Sequence, residues 1–72
     1  MKKESFESLI SSLACSVESK VFDGEKSYGF SVAFGLVGSD VFKIVEYCKE
    51  NKCAFHISAQ KDNTIKVGIY KD

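Results

Sequence analysis

The sequence predicts an α+β two-layer sandwich in the order αββαββ, and three observations predict it. An amphipathic stretch, Phe6 to Cys15, is followed by two β-like runs, Val17 to Phe22 and Tyr28 to Phe34. The same order then recurs, with Val41 to Lys52 amphipathic and Cys53 to Ala59 and Ile65 to Tyr70 alternating as strands. Turn-forming residues separate the strands of each pair. Two helices and two hairpins close most simply as one four-stranded antiparallel sheet with both helices on one face. The expected strand order is one-two-four-three, with the Phe- and Ile-rich strands central.

In the first amphipathic stretch Phe6, Leu9, Ile10 and Leu13 recur at helical spacing, with Val17 extending the stripe. Ser5 is the expected N-cap and Glu7 suits the first turn, where the helix dipole favours negative charge. Serine at 8, 11 and 12 is a mediocre helix former, so this helix depends on docking for its stability. In the next run Val17, Ser19 and Val21 alternate with Glu18, Lys20 and Phe22, which places Lys20 and Phe22 together on one face. Asp23-Gly24 signals a hairpin turn. The second strand then puts Tyr28, Phe30, Val32 and Phe34 on one face, and Gly29, Ser31 and Ala33 on the other.

Gly35 and Gly38 bracket Leu36-Val37, and Ser39 or Asp40 is the expected cap of the second helix. Its stripe is Val41, Ile44, Val45, Cys48 and Lys52, the last through its methylene stem. Phe42 falls on the flank, and Lys43, Glu46, Lys49 and Glu50 form a solvated charged face. Cys53, Phe55, Ile57 and Ala59 begin the third strand, Gln60 to Thr64 reads as a hairpin loop, and Ile65, Val67 and Ile69 face the core from the fourth. In topology this resembles a circular permutation of the ferredoxin-like fold. That likeness of shape implies no activity.

Seventy-two residues correspond to one domain spanning 1–72. A core of this size supplies only ~3–5 kcal/mol of net stability. Net charge is zero, and all ten basic residues are Lys. Nucleic-acid binders draw most of their affinity from neutralised phosphates, and guanidinium groups make the bidentate contacts to phosphate and guanine. A chain without Arg and without positive excess is poorly equipped for either. Lys2 and Lys3 lead into Glu4 and a serine-rich amphipathic segment, which is not a signal-peptide pattern. No apolar run is long enough to cross a membrane. Three Cys, odd in number and without framework spacing, favour a reducing, cytoplasmic setting.

The residue types that carry chemistry do not assemble. Cys48, Cys53 and His56 are close in sequence, but Cys53 and His56 are three apart on a strand and point to opposite faces. Cys48 lies on the core stripe of its helix, and zinc needs its ligands convergent. Cys15 lies off the first helix's stripe and is expected to be an exposed thiol. Its one possible partner base, His56, is distant in sequence. Gly35-Leu36-Val37-Gly38 has the two glycines of a KH-domain loop but follows a strand and encloses Leu-Val, so it reads as a strand-to-helix connection. No cofactor is expected.

The expected function is therefore non-enzymatic protein binding, of the kind served by small inhibitors, antitoxin-like proteins or assembly factors of phages and mobile elements. The expected partner-binding residues are Gly29, Ser31, Ala33, His56, Lys66, Gly68 and Tyr70 on the outer sheet face. Ala54 and Ser58 flank them on one side, and Lys20 and Phe22 on the other. Small residues at the centre admit a close-approaching backbone or sheet, and exposed aromatics serve as interface anchors. Partners are a target protein or a second copy, engaged through this face or an exposed strand edge, of which Val17 to Phe22 is one. The alternative is nucleic-acid binding on the same face. A metal- or redox-sensing role for the cysteines stands third.

Overall fold

A computed structural model describes residues 2–24, 26–33 and 35–71. Its elements are α1 (Lys3–Ser12), β1 (Val17–Asp23), β2 (Ser27–Val32), α2 (Gly38–Asn51), β3 (Cys53–Ala59) and β4 (Ile65–Lys71). The strands form one antiparallel sheet in the order β1-β2-β4-β3. Phe34, expected on the second strand, lies outside the described residues.

Alternation decides which sheet face is buried. Tyr28, Phe30 and Val32 of β2 and Val67 and Ile69 of β4 point to one side and are buried there with Phe6, Leu9, Ile10 and Leu13 of the α1 region and Ile44, Tyr47 and Cys48 of α2. Both helices therefore cover the same face. Phe6 is the hub of this core. Its ring lies 5.7 Å from Phe22, 4.9 Å from Tyr28, 6.0 Å from Phe30 and 6.3 Å from Tyr47, centroid to centroid. Aromatic pairs in such tilted and edge-on arrangements each contribute ~0.5–1.5 kcal/mol beyond area burial.

The first helix starts and stops differently from its apolar period. Its N-cap is Lys2, without a side-chain cap, and Ser5 lies inside the first turn, donating to the Lys2 carbonyl at 2.9 Å. It ends at Ser12 because α2 takes over the exposed backbone groups there. The Lys43 ammonium donates to the Ser12 carbonyl, and the Asp40 carboxylate accepts the Ala14 N–H at 2.8 Å. Unpaired groups at a helix end need partners of this kind. Val17 consequently belongs to β1 and not to the helix stripe.

The second helix is rotated from its expected stripe. Asp40, Ile44, Tyr47 and Cys48 are buried, whereas Val41 and Val45 are half-buried on the flank. Neither Ser39 nor Asp40 caps the helix, whose N-cap is Val37. Asp40 is committed to Ala14. At the other end Lys52 adopts a left-handed conformation, φ 55°, and its N–H closes on the Cys48 carbonyl. Its side chain is exposed, so it serves as a backbone stop and not as apolar cover.

The largest departure is in β1. Val17 pairs with Val32 but Ser19 pairs with Ser31, so one extra residue is inserted between them. This β-bulge reverses the alternation beyond it. Val17 and Phe22 both pack against the core, while Ser19 and Val21 pair with the outward-facing Ser31 and Gly29. Lys20, paired with the inward-facing Phe30, also leaves the outer face. The expectation that Lys20 and Phe22 flank the outer surface is therefore corrected.

Candidate partner-binding surface

The sheet registers assemble the outer face row by row. The middle row runs Val21, Gly29, Gly68, His56 across all four strands. On one side lies the row Ser19, Ser31, Lys66, Ser58, and on the other Asp23, Ser27, Tyr70, Ala54. Six of the seven expected residues thus fall on this face: Gly29, Ser31, His56, Lys66, Gly68 and Tyr70. Ala33 sits just past the end of β2, in a bend. The surface is a shallow trough, with two facing glycines at its floor, Val21 and His56 at its ends and Tyr70 standing 43% exposed beside it. The Ser19 and Ser31 hydroxyls hydrogen-bond across β1 and β2 at its border.

The two glycines differ in what the fold asks of them. A Cβ on Gly29 would meet the Val67 carbonyl oxygen at 3.4 Å. A Cβ on Gly68 would meet nothing within 4 Å, and Gly68 does not have a positive φ. Glycine in a strand interior costs ~0.5–1 kcal/mol relative to alanine. Neither backbone conformation nor local crowding accounts for glycine at position 68.

Val21 was not among the expected surface residues, because uninterrupted alternation turns it inward. It is 56% exposed. The signal for the bulge was present in the run itself: Val17 and Phe22 are both large and apolar but five positions apart, an interval that a regular strand sends to opposite faces.

The reactive side chains are dispersed. His56 is exposed on the outer face while Cys53 packs against the core from the helix side, and Cys48 is buried beneath α2. Burial, with a lesser contribution from Cys53, pushes the Cys48 thiol up to about 11. Cys15 is not the exposed thiol expected. It is half-buried against the core, and burial first, then the neighbouring Asp40, raise its pKa, so the thiolate is disfavoured. Asp40 itself is solvent-inaccessible. Burial pushes its carboxyl up, but the Ala14 N–H and further hydrogen bonds from Cys15 and the Val37 region hold it below the ordinary carboxylate range. Its Oδ2 has no hydrogen-bond partner among the described residues. Among those residues no three His, Cys, Asp or Glu side chains converge as metal ligands.

A second concavity of about 320 Å³ lies between the helices, lined among others by Leu9, Phe42, Tyr47, Lys43 and Glu50. Phe42 stands 65% exposed at its rim. No helix among the described residues is long and apolar enough to cross a membrane. The fold and surface define an α+β chain with an open sheet face. No family model matches it, and neither curated proteins nor solved structures provide a match.

Proposed function

We propose that this chain is a small protein-binding module without catalytic activity, acting through its open sheet face. The observation that carries the reading is Gly68. It sits on a central strand, has ordinary backbone geometry and empty space where a side chain would stand. Its cost to stability is offset if the Gly29–Gly68 floor must admit another backbone or a flat side chain. Tyr70 and Val21 then supply apolar contact at the borders, and His56 and Lys66 supply polar contact. The topology reads as a circular permutation of the ferredoxin-like fold, supported by the order β1-β2-β4-β3, and that shape specifies no ligand. An inhibitor, an antitoxin-like protein or an assembly factor of a phage or mobile element acts in this way, in a cytoplasmic setting.

The nucleic-acid alternative has less in its favour on this surface. With Phe22 turned inward, Tyr70 is the one phenyl-type ring on the outer face among the described residues, and Lys66 the one lysine. Single-strand binders stack bases on several aromatics in a basic groove.

The test is affinity capture with matched variants. Ser31→Lys should lose a protein that the wild-type chain retains, and Glu50→Lys should keep it. Retention by Ser31→Lys with loss by Glu50→Lys would transfer the interface to the groove between the helices. A salt-sensitive gel shift with single-stranded nucleic acid would favour the alternative.

A further inference from the structure

The two edges of the sheet are built differently. β1 carries the devices that keep an edge strand from pairing with another chain: a bulge between Val17 and Ser19, and the charges Glu18, Lys20 and Asp23. β3 carries neither. Its seven residues, CAFHISA, hold no Lys, Arg, Asp or Glu, and they pair with β4 in unbroken register from Cys53 to Ala59. β3 is the last strand in the sheet order, so its outer edge has no strand beside it among the described residues. A regular, uncharged edge strand of this length is an open template for strand addition.

The side chains along that edge indicate what completes it. Phe55 and Ile57 point to the helix side yet are only half-buried, because the layer ends there. Above them α2, which packs on β3, turns Val41 and Val45 outward on the flank opposite Lys43, Tyr47 and Glu50, which line the groove toward α1. Val41 and Val45 on that flank of α2 and Phe55 and Ile57 on β3 are all half-buried apolar side chains. The strand is also self-complementary. Antiparallel pairing about a two-fold axis through His56 sets Ala54 opposite Ser58 of the second copy and Phe55 opposite Ile57, while the two His56 face each other. That register keeps every side chain on its own face and pairs the largest apolar residues with one another.

We propose that two copies of this chain associate through β3, antiparallel and centred on His56, to give one continuous eight-stranded sheet. The helix side of the seam is closed by Val41, Val45, Phe55 and Ile57 from each copy. The interface is isologous, as two-fold dimers require. On the outer side the two Gly29–Gly68 floors line up on either side of the paired histidines, so the binding face is doubled in length and remains open. The proposal adds a self-association site to the reading above, with His56 common to both.

Charge exchange at the axis tests it. Sedimentation velocity of the wild-type chain across a concentration series should show a species of twice the monomer mass. His56→Glu and His56→Lys each place like charges directly opposite and should each be monomeric, with unchanged far-ultraviolet circular dichroism. An equimolar mixture of the two should recover the dimer. In the wild type, amide hydrogen exchange should slow in β3 as concentration rises and stay constant in β1, a readout that needs no variant. A wild-type chain that is monomeric throughout, two variants that remain dimeric, or protection that grows in β1 instead would each overturn the proposal. His56 also lies on the outer face, so Ser31→Lys, which alters that face away from the β3 edge, should remain dimeric, and a monomeric Ser31→Lys chain would move the association to the face.

Discussion

Phe30 and Asp40 show at the residue scale how a small core is held. Phe30 is buried at the centre of β2 and touches the ring of Phe6. Phe30→Ala should cost ~3–5 kcal/mol, enough to unfold a domain with so little reserve, and an unchanged melting temperature would refute its placement. Asp40 works through charge. Replacing it with Ala removes the acceptor of the Ala14 N–H and should cost ~1.5–3 kcal/mol by denaturant unfolding at neutral pH. Because its folded carboxyl lies below the ordinary value, its ionised form contributes fully above about pH 4, and that contribution disappears as pH falls through the folded value. The stability gap between wild type and Asp40→Ala should therefore narrow in acid. A gap independent of pH would show that only packing was lost.

Elements were legible in the sequence wherever one period ran uninterrupted. β3 and β4 follow clean alternation, and Phe6, Leu9, Ile10 and Leu13 follow helical spacing, so their buried faces could be read directly. Three features were hidden because their causes are tertiary or local to the backbone. The first helix stops at Ser12 because Lys43 and Asp40, far along the chain, complete its end. The second helix rolls to bury Tyr47, whose hydroxyl meets Ser5 at 3.3 Å, a pairing invisible to periodicity. The bulge in β1 inverts one strand and exchanges Phe22 for Val21 on the outer face. The trough itself was legible, since Gly29, Ser31, Gly68 and Tyr70 all lie beyond the reach of that inversion. The stop of α2 supplies a further prediction. Lys52 occupies the left-handed region, which costs a non-glycine residue ~1–2 kcal/mol. Lys52→Gly should raise thermal stability, and a lower melting temperature would mean that the lysine side chain contributes more than its backbone strain removes.

At the scale of the whole molecule one apolar cluster joins both helices to all four strands, with half-buried Phe22, Leu36, Phe55 and Ile57 at its margin. Stability is thus expected to come from this cluster and not from a bound ion, since His56 faces away from Cys53 and Cys48. The melting temperature should be indifferent to excess chelator. One zinc per chain by elemental analysis, with melting on chelation, would contradict this.

The proposed role of the outer sheet face as a seat for a protein partner turns on Gly68. Gly68→Val places a strand-favouring side chain into open space and fills the floor of the trough. The measurement is retention of the captured protein by Gly68→Val and wild-type chains whose melting temperatures have been compared. Gly68→Val should be at least as stable as wild type and should no longer retain the partner. Equal retention by both chains, a wild-type chain that retains nothing, or a variant that fails to fold would contradict it.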